Sequence, residues 1–135
     1  MKKQVLLSLT ALLLCMLFII PASAAGDDGI MPLWDSIGDI VTEVSFDGSE
    51  GRFSVDVARL FGITTSLEAT LTLYKYVDGD WVYMDSISGS STRSLSLYKT
   101  FEAESGVTYK AVAEVTAYSS AGAETATVDD IETCP

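Results

Sequence analysis

Glu104-Ser105-Gly106-Val107-Thr108-Tyr109 runs on into Lys110-Ala111-Val112-Ala113-Glu114-Val115-Thr116-Ala117-Tyr118, and no other stretch says as much about the architecture. A glycine and then a tyrosine at the mouth of a long strand mark a corner between the two sheets of a β-sandwich. There the phenol packs beneath the turn and its hydroxyl satisfies backbone groups, so Gly106 and Tyr109 are expected to be structural. In an extended strand Tyr109, Ala111, Ala113, Val115 and Ala117 point one way, and Lys110, Val112, Glu114, Thr116 and Tyr118 the other. Both faces carry apolar residues, which places this strand in the middle of a sheet.

Moving outward from that strand, apolar residues alternate with polar ones from Asp39 onward, with turn residues between the runs. The first expected strand covers Ile40 to Phe46, and Asp47-Gly48-Ser49-Glu50-Gly51 forms a hairpin loop. The second turns Phe53, Val55 and Val57 inward. Arg59 to Thr65 crosses to the other sheet, and the third strand, Ser66 to Tyr76, sets Leu67, Ala69, Leu71 and Leu73 against the core. Asp78-Gly79 turns it into a fourth, Trp81 to Ile87. Ser88 to Thr92 reads as a Gly/Ser loop, and Ser94 to Phe101 as a fifth strand burying Leu95, Leu97 and Phe101. After the corner strand, Ser119 to Gly122 turns into a seventh, Ala123 to Val128. Apolar residues nowhere recur at helical spacing for three turns. The expectation is a single seven-stranded antiparallel sandwich, immunoglobulin-like or fibronectin-type-III-like. Residues 39–129 form the domain, 26–38 a linker or N-terminal arm, and 130–135 a C-terminal tail. Strands one and two, three and four, and six and seven are expected to pair as hairpins.

Residues 1–25 have the form of a leader. Lys2 and Lys3 precede the apolar run Val5 to Ile20, and Pro21-Ala22-Ser23-Ala24-Ala25 supplies small residues for cleavage after Ala24 or Ala25. A membrane span needs roughly 20 apolar residues, and here the run breaks early. The expected location is therefore extracellular, with no membrane association after cleavage. Cys15 follows Leu14 with apolar residues still ahead of it, which argues against lipidation. In the arm, Gly26-Asp27-Asp28-Gly29 is too polar to pack, whereas Leu33 and Trp34 are expected either to dock on the sandwich or to offer themselves to a partner.

The chain carries a formal charge of −11, and cleavage removes two lysines and no acid, giving −13. Such a surface repels nucleic acid and anionic membranes, which demand basic partners. After residue 25 there is no His, Asn or Gln, which removes the usual general base, the commonest transition-metal ligand and any N-glycosylation acceptor. The one remaining cysteine, Cys134, is open to two readings: an intermolecular disulfide that makes an oligomer, or an inert thiol on a frayed tail. No cofactor or metal is expected. Asp78 with Asp80, Asp27 with Asp28, and Asp129-Asp130 with Glu132 read as solvated carboxylates, short of the ordered set of oxygens that calcium needs.

The hairpin from Tyr74 to Tyr83 carries the candidate site. A two-residue turn at Asp78-Gly79 pairs Tyr76 with Trp81 and Tyr74 with Tyr83, setting all four rings outward on one face with Thr72 and Asp85. That face would be a flat stacking platform for a glycan or an extracellular protein. A three-residue turn would instead rotate Trp81 and Tyr83 inward, and plain cross-strand aromatic pairing on an edge hairpin is the simpler account of the pattern. Catalysis is not expected: without histidine a serine nucleophile lacks its base, and a two-carboxylate hydrolase needs a deep cleft. The leading reading is a non-enzymatic binding or interaction module. The alternatives are a structural, self-assembling extracellular subunit and, behind it, a small carboxylate-dependent hydrolase.

The leader, the Pro32-Leu33-Trp34 arm and the Gly106-Val107-Thr108-Tyr109 corner together resemble a family of short secreted proteins from Gram-positive, mainly clostridial bacteria whose domains have no assigned function. The resemblance spans most of the mature chain. It implies a secreted sandwich and supplies no site residues.

Overall fold

Tyr109 lies at 0% exposure beneath the corner, and its hydroxyl accepts a hydrogen bond of 2.9 Å from the amide of Glu104. A computed structural model describes residues 34–135 and places this corner between two antiparallel sheets. Seven strands build them: β1 (Ile37–Asp47), β2 (Glu50–Arg59), β3 (Thr64–Val77), β4 (Asp80–Ser91), β5 (Leu95–Glu102), β6 (Thr108–Ser119) and β7 (Gly122–Thr133). One sheet has the order β1-β2-β5 and the other β4-β3-β6-β7. The expected hairpins β1–β2, β3–β4 and β6–β7 are all present, and β6 sits between β3 and β7 inside its sheet.

The alternation along each strand supplies the core. Phe53, Val55 and Val57 of β2 face Leu67, Leu71 and Leu73 of β3 and Tyr109, Ala111, Ala113 and Val115 of β6, all fully or almost fully buried. The small inward residues of β6 leave room for the larger side chains around them. Phe101 is only half-buried, packing its ring against those of Phe46, Phe53 and Tyr109. It can do so because Gly51, which belongs to β2 and not to the preceding loop, is buried directly beneath the Phe101 ring.

Two expectations are corrected. Ser88 to Ser91 is the end of β4, laddered on Leu67 to Thr70 of β3, and not a loop. Glycine and serine are poor strand formers, but packing decides here: a Cβ at Gly89 would come within 2.7 Å of Leu97 Cδ2 and oblige that side chain to shift, so glycine suits the close approach of β4 to β5. Residues 129–133 are likewise strand, since β7 pairs with β6 as far as Thr108 opposite Thr133. The acidic residues that mimic a solvated tail partly face inward. Asp130 Oδ2 accepts from Val44 N at 2.8 Å, and Glu124 accepts from the amides of Asp35 and Ser36 at 3.1 and 2.7 Å. These carboxylates of β7 satisfy one donor on the β1 edge and two just before it, tying the two sheets together.

Cys134 follows that strand and is 2% exposed, so the frayed-tail picture is also corrected. Its amide donates to Val107 O and its carbonyl accepts from Gly106 N, at 2.9 and 2.8 Å, fastening the strand end to the corner. Trp34 packs against the core from the N-terminal side. The expected leader and residues 26–33 of the arm, Leu33 included, lie outside the described residues, whereas Ile37 and Gly38 at the end of the arm already belong to β1.

Candidate functional site

The β3–β4 turn has two residues, as the Asp-Gly pair predicts. Asp78 and Gly79 take φ values of 50° and 90°, the left-handed pair required by a type I′ turn. Val77 therefore pairs with Asp80, Tyr76 with Trp81 and Tyr74 with Tyr83, and the alternative one-residue slip does not occur. Because Leu73 of β3 is buried, its neighbours Tyr74 and Tyr76 stand on the outer face, with Tyr76 and Tyr83 the most exposed of the four rings.

The rings do not form a flat platform. Tyr74 and Tyr83 meet edge to face at 6.4 Å and 83°, and Tyr76 and Trp81 tilt at 59° with centroids 5.1 Å apart. Each pair thus takes the arrangement its ring quadrupoles favour, one ring presenting an edge. Asp85 leaves this face as well. The register shifts between Leu73 and Tyr74, so that Asp85 pairs with Leu73 and turns toward the opposite sheet. There it meets Lys99 Nζ at 2.7 Å. The hydrogen bond from Lys99, with another from the Ser86 amide, holds the Asp85 carboxyl below the usual aspartate range.

Strand order adds residues to the face that hairpin reasoning misses. Tyr74 pairs with Lys110 of β6, which pairs with Ile131 of β7, so one row across four strands reads Tyr83, Tyr74, Lys110, Ile131. The Lys110 ammonium lies 4.4 Å from the centre of the Trp81 ring and 5.5 Å from that of Tyr74, a cation–π arrangement that fixes the ring cluster in place. Ile131 is 48% exposed on the same surface. The outward position of Lys110 is readable from its strand; its pairing with Tyr74 is not, because β3 and β6 are distant in sequence.

Beyond the aromatic rows the same face becomes polar. Glu68, Thr70, Ser88, Ser90, Glu114 and Thr116 line an open groove of about 360 Å³. Within it the Thr70 and Ser88 hydroxyls bond to each other at 2.9 Å, and Tyr118 donates to Glu68 Oε2 at 3.0 Å, which raises the Tyr118 pKa. Among the described residues no three His, Cys, Asp or Glu side chains converge on a possible metal position.

The outer face of the four-stranded sheet thus presents exposed rings, the Lys110 ammonium and a shelf of hydroxyls and carboxylates. No family model matches the chain, and no curated protein matches it significantly.

Proposed function

We propose that this is a secreted, non-enzymatic binding module that takes sugar rings on the outer face of its four-stranded sheet. The carrying observation is the row Tyr83, Tyr74, Lys110 and Ile131 with Tyr76 and Trp81 beside it, an aromatic patch in which Tyr76, Tyr83 and Ile131 stand exposed. Exposed aromatic clusters of this kind are uncommon on a surface without a use for them. Ring faces stack on the C–H faces of sugars, and Lys110 offers N–H donors to hydroxyls at the rim. The order β1-β2-β5 over β4-β3-β6-β7 supports the fibronectin-type-III-like reading of the sandwich, an architecture that carries its function in surface sites.

Glycan-array binding by the purified protein tests this, alongside the double variant Tyr74→Ala, Trp81→Ala. Binding by the parent and its loss in the double variant is the expected result. A signal unchanged in the double variant removes this face, and selective capture of an extracellular protein without any glycan makes the module a protein reader.

A specific arrangement gives the hydrolase reading its own test. Glu68 pairs with Thr116 and Glu114 with Thr70, so the two carboxylates are diagonal neighbours across β3 and β6 in one groove. The groove is open and shallow, which suits binding better than the enclosed geometry of glycoside hydrolysis. Oligosaccharides are therefore expected to survive prolonged incubation intact, and cleavage abolished by Glu114→Gln would establish the hydrolase.

A further inference from the structure

The rows of the outer face follow one another along β3 in a graded series, and this extends the proposed site in one direction. Tyr76 with Trp81 comes first, then Tyr74 with Tyr83 and Lys110, then Thr72 with Ser86 and Val112. Thr70 with Ser88 and Glu114 is next, and Glu68 with Ser90 and Thr116 closes the series. At ~3.4 Å per residue, the strip from Tyr76 to Glu68 is ~27 Å long. It is thus one continuous strip, aromatic at one end and polar at the other, with the groove of about 360 Å³ at the polar end.

Resting on the sugar-binding reading of the aromatic end, we infer that the polar groove is a second subsite of the same ligand, and that the ligand is a neutral, linear polysaccharide segment lying along β3. The chemistry of the groove selects the class. Hydroxyls of Thr70, Ser88, Ser90 and Thr116 can both donate and accept, and the Glu68 and Glu114 carboxylates accept only. A ligand matching them presents donors at short intervals, as the hydroxyls of a sugar chain do, and would exchange with or extend the bonds that Thr70, Ser88, Thr116 and Glu68 already make. Charge narrows it further. Glu68, Glu114 and, on β7 beside Val112, Asp129 set three carboxylates against the single ammonium of Lys110, so polyuronates and sulfated chains are disfavoured. Lys110 already lies over Trp81, so the ring face it covers is not open to a cationic side chain from a basic peptide.

Calorimetric titration with neutral β-linked glucose and N-acetylglucosamine oligomers, from dimer to hexamer, tests the inference. In at least one series affinity is expected to rise about tenfold or more between dimer and hexamer, then level off once the strip is filled. Glu114→Ala combined with Ser88→Ala, both exposed positions, should bring the hexamer down to the dimer's affinity while leaving dimer binding and thermal stability unchanged. Tyr74→Ala with Trp81→Ala should abolish both. Affinity that does not grow with length, or a length dependence untouched by the groove variant, overturns the second subsite and leaves the aromatic site standing. Tighter binding of a galacturonate hexamer or of a lysine-rich peptide than of any neutral oligomer overturns the ligand class. Failure of every sugar to bind removes the inference together with the reading on which it rests.

Discussion

Val44 of β1 donates its amide across the sandwich to Asp130 of β7, over 2.8 Å. Two strands belonging to different sheets are joined by a carboxylate on one and a backbone group on the other. The donor is partly buried, so losing its acceptor carries a desolvation cost. Asp130→Ala is expected to lower unfolding stability by about 1–2 kcal/mol, read from urea denaturation. An unchanged midpoint would mean that water takes the place of the carboxylate.

Gly51 lies against the ring of Phe101, with no space for a methyl group between them. Gly51→Ala must push that ring away from Phe46, Phe53 and Tyr109. The expected loss is about 1–3 kcal/mol, with part of it restored by the second change Phe101→Leu. Equal losses in single and double variants would place the strain elsewhere.

Thr42 keeps a buried hydroxyl with no hydrogen-bond partner. Valine has nearly the same shape and no polar atom to desolvate. Thr42→Val should therefore raise stability by about 1 kcal/mol, measured by the same denaturation.

Acid should weaken the Asp85–Lys99 bridge that closes the β4–β5 side of the sandwich. Lys99 lowers the Asp85 pKa in the fold, so the bridge contributes while Asp85 is ionised in both folded and unfolded chains. That contribution is lost as pH falls below the ordinary value of 3.8 and through the lower folded one. The stability gap between the parent and Asp85→Asn is expected to be present at neutral pH and to shrink toward zero in strong acid. A gap that widens with acidification contradicts this sign.

Cys134 is enclosed beside the corner, its sulfur 3.9 Å from the carbonyl of Gly48. Thiol reagents should label it slowly in the native protein and rapidly in denaturant. Non-reducing electrophoresis of folded protein should show monomer. Rapid native labelling would mean that the end of β7 opens readily.

The strand pattern is legible in this sequence wherever side chains alternate in size and polarity. Leu67 to Leu73 and Tyr109 to Ala117 dictate their own faces, and Asp78-Gly79 favours the two-residue turn and the aromatic pairing that the structure adopts over the one-residue slip. What escapes is set by partners far along the chain. Ser88 to Ser91 has weak strand propensity and is held extended by β3, with Gly89 admitting Leu97. Asp130 resembles part of a solvated end until β1 lies opposite it and Val44 donates to its carboxylate. The same limit applies to the site. Its four rings follow from one local hairpin, whereas Lys110, Ile131 and the groove depend on β3 lying beside β6 and β6 beside β7. The displacement of Asp85 comes from an extra residue in β4, a feature with no marker in the chain.

The alternation in β6 also governs how the chain finds its partner strands. Tyr109 and the alanines below it fill the interior, while Lys110, Glu114 and Tyr118 occupy the intervening places. Sliding this strand by a single step would drive an ammonium and a carboxylate into a dry space shaped for methyl groups. Near-miss alignments of β6 are thereby penalised, so the four-stranded sheet favours a single register.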